Sequence, residues 1–494
     1  MNDCLEHPET LLTGPNPLFG VLRPFVTLGE VPALLNYNPL STLDLKTIPL
    51  QKRESLLPFA EQLFIPSGPN LEVFMGVQEL LRRSLSLMNP LQRAARLHAN
   101  RIGAARSTLQ LRQLICLDGA GMLVSGITGR GKTRLIKRCL QVLVKHLVLD
   151  HPASEEYGWY GMRQVAYLYV DFPSNGTRGA LLHRILEELD SVAGTNYSGE
   201  HKRTVNIDIL MVAVCKALIN HRVALLVVDE KQSMTFNDSQ WALQFVLFYL
   251  SLMNLGVSVA LCGNPLAFDH MMNLSQVMRR FSIAGVHELT PGQQTDPWWT
   301  KEFVPRVDEF MLVDGFAVDL AWRSEVETNF SAGIPGFLLP LRCEVMRSAI
   351  RRGGSPCLIS EDDYDEALNS PRLKKIASIS QAIQGIPNSD HYFDLPSTEC
   401  LRNPSLRAKH DVAQLDAASG SAVLELLRKL QQRVSAELTR TRNKLKEIQG
   451  LSKEDAEALG LTLHHVNELQ DSIAKIEQHK KDLAQRGRNA KAAT

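Results

Sequence analysis

Eight consecutive residues, Gly126-Ile127-Thr128-Gly129-Arg130-Gly131-Lys132-Thr133, place three glycines, a lysine and a hydroxyl at the spacing of a phosphate cradle. Gly126, Gly129 and Gly131 allow a tight backbone turn whose amides face an anion. Lys132 reaches the terminal phosphates of a nucleotide, and Thr133 offers a hydroxyl to magnesium. A second chemical feature closes an apolar run: VALLVVDEKQ, residues 223–232, carries its hydrophobic residues directly into Asp229 and Glu230. Asp229 suits magnesium through its water shell, and Glu230 suits the orientation and activation of a hydrolytic water. A third run, VSVALCGNP, closes on Asn264-Pro265, and the Asn264 amide can hydrogen-bond both that water and the γ-phosphate. The chemistry this set predicts is hydrolysis of ATP, with Mg2+ as the metal.

One further group completes the set. Met278-Arg279-Arg280-Phe281 can present a positive charge to the nucleotide of a neighbouring copy, neutralising the charge that develops in phosphoryl transfer. A site completed in trans implies a homo-oligomer, as a ring or helical filament. The spacing leaves open whether Arg279 or Arg280 makes the contact, and a solvated basic pair is the plainer alternative.

Positioning these residues requires strands that end where they sit. GMLVSG at 121–126 reads as a buried strand delivering the glycine-rich turn, and KTRLIKRCLQVLVKHLVL after it has helical apolar spacing. VAYLYVD (165–171), VALLVVD (223–229) and VSVALCG (257–263) add three strands, with helices over 178–191 and 207–220 between them. Buried apolar strands alternating with helices predict an α/β fold built on a parallel sheet. The uncharged stretch from Trp241 to Gly263 is long enough to span a bilayer. Its internal Gln244, Ser251, Asn254, Gly256 and Ser258 instead divide it into a helix and a strand, so no membrane partner is expected.

The 494 residues carry 54 Lys plus Arg against 53 Asp plus Glu, a net charge of +1. That excludes a uniformly polybasic chain, yet a local basic surface would vanish in such a sum. Eight dispersed cysteines without a Cys-x-x-Cys pair predict buried thiols in a reducing compartment, not a zinc site or a disulfide framework. The start, MNDCLEHPETLL, lacks a basic region followed by an apolar segment, and cytoplasm is the expected location.

Composition divides the chain further. Residues 1–85 are Pro-rich and read as an interaction segment that wraps another surface. The ATPase core is expected over 86–350, opening with a helix-favouring stretch over 86–112. A small helical lid begins at the Gly-x-Pro-Gly turn of 333–336 and continues through 351–385. A linker occupies 386–420, and a helical C-terminal region with seven-residue apolar spacing occupies 421–494. The latter predicts two helices that pack on each other or on a partner.

The order strand, P-loop, strand ending Asp-Glu, strand ending Asn, then Arg-Arg resembles the AAA+ ATPases. The wording of GMLVSGITGRGKT, QVAYLYVDFPSNGT, ELDSVAGTNY, FVLFYLSLMNLGVSVALCGNP and SAGIPGFLLPL is similar to the TnsC/TniB transposition regulators. That resemblance implies an AAA+ P-loop NTPase that assembles on target duplex DNA and links a target-selection protein or complex to a transposase. Hydrolysis would then serve disassembly or target discrimination. It assigns Lys132 and Thr133 to phosphate and magnesium, Asp229 and Glu230 to magnesium and water, Asn264 to the sensor role and Arg279 or Arg280 to the neighbouring site. Two departures stand out: Lys231 follows the acidic pair where an apolar residue is usual, and 333–336 lacks the arginine that serves many AAA+ proteins as a second sensor. For DNA, the candidates are Asn175, Thr177 and Arg178 at a turn into a helix, and Lys202 and Arg203 with His201, all expected to meet backbone phosphates. Two other functions fit the residues: an AAA+ helicase loader or replication-initiation ATPase, and a nucleotide-gated scaffold that does not hydrolyse.

Overall fold

The computed structural model describes residues 6–114, 117–230, 242–268, 271, 274–386, 392, 395, 421–452, 455, 456, 461 and 463–492. Side chains at 230, 242, 266, 421–426, 429 and 489–492 lie outside that description, as do Lys231 and most of the 386–420 linker.

Five strands form one parallel sheet: β1 Gly121–Gly126, β4 Tyr167–Asp171, β5 Leu225–Glu230, β6 Ser258–Gly263 and β7 Val286–Leu289. Their spatial order is β4-β5-β6-β1-β7. A separate antiparallel pair, β2 Val148–His151 and β3 Met162–Val165, precedes β4. The four strands expected from the sequence are present, with the second shortened to 167–171. β7 and the β2–β3 pair are additions.

Helices flank the sheet: α1 Gly68–Leu87, α2 Arg93–Ala104, α3 Lys132–Leu143, α4 Arg178–Ala193, α5 Ile207–Asn220, α6 Ala242–Asn254 and α7 Ser275–Phe281. The sheet core is dry because β5 and β6 turn Leu, Val, Ala and Cys side chains to helices on both faces, and all of Leu225–Val228 and Val259–Cys262 are fully buried. α6 and β6 divide the uncharged 241–263 stretch as expected, and among the described residues no helix is long and apolar enough to cross a membrane.

The expected boundary at residue 85 cuts through a core helix. α1 buries Val73, Phe74, Val77, Leu80 and Leu85 completely, and its Ser84 Oγ lies 2.7 Å from Ser258 Oγ of β6 and accepts the Ser258 N–H at 2.9 Å. The stretch over 86–112 is not one helix either, because Asn89-Pro90 interrupts it before α2. Only the chain before α1 behaves as a wrap. It seals the sheet core with Leu18, Phe19 and Val21, then crosses to the lid and packs Leu40, Leu57, Leu63 and Ile65 there.

The lid consists of α8 Leu320–Ser331, α9 Pro335–Arg352, α10 Glu361–Leu368 and α11 Lys374–Ile383. Ile334-Pro335-Gly336 opens α9, with proline at a first-turn position where its missing N–H costs nothing. Ser360 and Asp363 close a capping box on α10, satisfying two end amides reciprocally. Inside the lid, Arg342 bridges Asp308 (2.8 Å) and Glu327 (3.0 Å), while Tyr364 donates to Glu327 at 2.5 Å. Glu327 is fully buried, and the two partners hold it in place.

The C-terminal extension is a helical hairpin of α12 Ser421–Gln449 and α13 Leu463–Ala492. Leu427, Leu430, Val434 and Leu438 meet Ile476 and Leu483 along its seam, so the seven-residue pattern is satisfied within the chain. The turn end of the hairpin docks on the sheet domain through Ile448, Leu451 and Leu461.

Candidate active site

The sheet brings the predicted residues to one edge. Parallel register sets Ser125 opposite Gly263, Glu230 opposite Gly263 and Asp229 opposite Cys262. The P-loop, the Asp-Glu strand end and Asn264 therefore converge at the carboxyl ends of three adjacent strands, the edge where open α/β sheets bind ligands. Gly129 and Gly131 adopt φ of 77° and 87°, a left-handed backbone that side chains resist, and α3 begins at Lys132 immediately after. Its amino end faces the loop.

Lys132 Nζ donates to the carbonyls of Gly126 (2.7 Å) and Ile127 (3.1 Å), folded over the loop it would share with phosphate. Burial pushes its pKa down, and the nearby Asp229 carboxylate opposes that shift. Thr133 Oγ1 donates to Asp229 Oδ2 at 2.5 Å. The hydroxyl and the carboxylate assigned to magnesium thus share one point, and this donor pair fits a hard cation that takes its remaining ligands from phosphate and water. Asp229 is 2% exposed.

Tyr169 of β4 is a site residue that the sequence reading missed. Its hydroxyl donates to Asp229 Oδ2 at 2.6 Å, and the Lys137 ammonium lies 4.7 Å from its ring centre. Burial, followed by its bond to Asp229, pushes the phenol well above its ordinary pKa, so it remains a donor. The available signal was one of two phenols, Tyr167 and Tyr169, in a strand beside the one that ends in the acidic pair.

Arg130 was likewise missed. Its side chain leaves the P-loop for the lid hinge: Nε donates to the Thr290 carbonyl at 2.7 Å and the guanidinium lies 4.5 Å from the Trp298 ring centre. Burial pushes its pKa down to about 10. The lid itself touches the P-loop backbone, because Gly336 N–H donates to the Gly129 carbonyl at 3.0 Å, and Ile334 and Phe337 close over Ile127. The Gly-x-Pro-Gly turn lacks the second-sensor arginine but is itself the contact between lid and phosphate loop.

Asn264 is buried directly after β6, within the same edge. Glu230 ends β5 in backbone register; its side chain lies outside the described residues. The arginine pair separates by environment. Arg280 Nη1 donates to the Asn254 carboxamide and is half-buried, whereas Arg279 is exposed and forms no hydrogen bond or ion pair among the described residues.

The DNA candidates also diverge. Asn175 is exposed and its carboxamide accepts the Thr177 amide at 3.2 Å, while Thr177 caps α4 by accepting from Ala180 at 3.3 Å. Arg178 turns inward instead, donating to Gln244 Oε1 at 3.0 Å beside the docked hairpin. This places its guanidinium at the root of α6. Lys202 and Arg203 are exposed.

Comparison with known proteins agrees with the architecture. Residues 117–272 match a family model described as an AAA domain. The fold is an AAA+ P-loop fold. Its parallel sheet, flanking helices, helical lid and C-terminal helical extension are those expected from the sequence. No curated protein matches the chain. Similar solved structures include the Orc1 protein of Aeropyrum pernix in complex with DNA, at 13% identity and a TM-score of 0.36, covering 77% of this chain and 83% of that one. Another is Cdc6p from Pyrobaculum aerophilum, at 10% identity and a TM-score of 0.34, covering 74% and 89%.

These findings correct the expected kinship with TnsC/TniB transposition regulators: the matches are to a general AAA domain and to Orc1 and Cdc6p structures. The transposition role, with its transposase and target selector, falls with that kinship. The stretches that suggested it have structural duties within the AAA+ fold. QVAYLYVDFPSNGT forms the end of β3, β4 and the cap of α4, and SAGIPGFLLPL forms the lid turn and α9. The AAA domain supports ATP binding and hydrolysis as the general activity.

Proposed function

We propose that this chain is a magnesium-dependent AAA+ ATPase that acts on duplex DNA as a loader or replication-initiation type switch. The observation that carries the nucleotide reading is the shared point at Asp229, where Thr133 and Tyr169 converge within reach of the P-loop. ATP would lie with its phosphates on the 126–133 loop, facing Lys132, and magnesium would be held by Thr133 and, through water, by Asp229. The metal supplies charge neutralisation on the phosphates. The chain's own residues do the rest: Lys132 leaves the Gly126 and Ile127 carbonyls for phosphate, Asn264 orients the γ-phosphate and the attacking water, and Glu230 takes that water's proton.

The lid gives this chemistry a mechanical outlet. Any movement of the P-loop backbone is felt at Gly336 through the Gly129 carbonyl and at Trp298 through Arg130. A neighbouring copy would supply Arg279, the exposed member of its pair, so turnover would depend on assembly. The acidic pair at the end of β5 favours hydrolysis over a non-hydrolysing scaffold.

The test compares duplex binding by fluorescence anisotropy with ATP, a non-hydrolysable analogue and ADP, alongside phosphate release. We expect tighter duplex binding in the triphosphate states. Glu230→Gln is expected to keep ATP binding and lower phosphate release at least tenfold, the lower end of what a positioned base contributes. Equal duplex affinity in all three nucleotide states, or wild-type turnover by Glu230→Gln, would overturn this function.

A further inference from the structure

The whole-chain charge of +1 conceals a division between the body and the C-terminal hairpin. α12 contains seven Lys or Arg against three Asp or Glu, and α13 contains six against four, so the two helices carry +6, their connecting turn −2 and residues 1–420 −3. The charge is also uneven along its length. The half nearest the docked turn, residues 441–449 and 463–474, is neutral, and the full +6 lies in the distal half, residues 421–440 and 475–492.

We infer that this distal half is a DNA-binding arm that grips the phosphate backbone of a duplex. The inference rests on the duplex-DNA function proposed above and assigns its main contact surface to the hairpin. Each helix is about 45 Å long at 1.5 Å per residue, a rod anchored at one end. The root is fixed by apolar packing at Ile448, Leu451 and Leu461, by Glu447 accepting the Leu243 amide of α6 at 3.0 Å, and by an Arg112–Asp455 ion pair at 2.9 Å. Beyond it, Arg428, Lys475, Lys480, Lys481 and Arg488 are exposed and form no ion pair among the described residues.

Charge complementarity selects the occupant. A duplex offers one negative charge about every 1.7 Å of its axis, which suits cations distributed along a rod. An anionic membrane would require an apolar stripe beside the basic residues, but among the described residues of the arm Leu427, Leu430, Val434, Leu438, Ile476 and Leu483 are turned into the seam. A second copy of the body offers only −3 spread over residues 1–420. Backbone contact of this kind carries no base-sequence information.

The experiment uses the full chain carrying Lys475→Gln, Lys480→Gln, Lys481→Gln and Arg488→Gln, which leave the seam residues intact. Circular dichroism and thermal melting should match wild type, as should ATP binding. Duplex affinity, measured across a salt series in the ATP state, should fall at least tenfold at low salt. The slope of log affinity against log salt should shrink by about 0.9 for each substituted residue that touches a phosphate. An unchanged slope and affinity would overturn the arm while leaving DNA binding elsewhere on the protein. Absence of duplex binding by wild type would overturn the DNA function itself, together with the arm. Wild-type binding to phosphatidylserine vesicles, or arm-dependent self-association, in place of duplex binding would have the same consequence.

Discussion

Gly336→Ala tests whether the lid reads the phosphate loop directly. A Cβ built on Gly336 would stand 2.6 Å from the Gly129 carbonyl oxygen and 2.9 Å from its Cα. Both opposing atoms are backbone, so no side chain can turn aside. Restoring the oxygen contact to 3.0 Å, the shortest that real Cβ atoms show, requires the lid or loop to retreat by at least the 0.4 Å difference. Overpacking of this kind costs about 1–3 kcal/mol, and lengthening the 3.0 Å Gly336–Gly129 hydrogen bond removes up to about 1 kcal/mol more. Expressed wholly in the closed, nucleotide-bound state, the combined loss of about 1–4 kcal/mol weakens ATP binding about 5- to 900-fold. Titration with a fluorescent ATP analogue measures this, and a thermal melt separates it from general unfolding. Gly103→Ala is the control: it lies in α2 with open space around its Cβ, and should be neutral or slightly stabilising. Wild-type ATP affinity and Tm in Gly336→Ala would refute the direct lid contact.

Other substitutions address separate parts of the account. Burial pushes the Glu447 carboxyl up to about 7 from an ordinary 4.5, so between those values the docked hairpin holds more protons than the undocked one. Docking stability is then fullest below the lower value and falls as pH rises through 7, by about 3 kcal/mol at most. Hydrogen exchange at the start of α6 should show this loss, and Glu447→Gln, which keeps an acceptor without the charge, should flatten it; the same pH profile in the variant would count against the assignment. Arg279→Ala should lower the ATPase activity of assemblies by about 10³-fold or more if it acts as the arginine in trans, whereas Arg280→Ala should act mainly through its bond to Asn254 and lower thermal stability. The reverse pattern in phosphate release and melting would exchange the two roles.

The parts of the site that were legible in the sequence are those with a fixed local spacing. The P-loop, the apolar run into Asp229 and the strand before Asn264 each declare both an element and a terminus, and parallel packing brings the termini together. Tyr169 and Arg130 were not legible because their roles depend on register between strands and on a hinge 160 residues away in sequence. The same holds for Gly336, whose closeness to Gly129 arises from tertiary packing. α1 was hidden by its proline-rich surroundings, although its apolar residues repeat with helical spacing. β7 was hidden by His287 and Glu288, whose side chains can reach solvent because it is an edge strand. The basic arm was present in the sequence but disappeared in the whole-chain sum, and the inward turn of Arg178 needed the position of Gln244. The resemblance to transposition regulators failed at a different level, since stretches chosen as family markers also form strands, caps and the lid turn of the AAA+ fold.

The central claim is that residues 126–133 and Asp229 form a working magnesium–ATP site. Titration calorimetry of the purified full-length chain with ATP, with and without Mg2+, tests it most directly when repeated on Lys132→Ala. Saturable binding strengthened by Mg2+ in the wild type, and weakened at least tenfold by loss of the Lys132 ammonium, is the predicted result. No measurable nucleotide binding by the wild type, or equal affinity in Lys132→Ala, would contradict it.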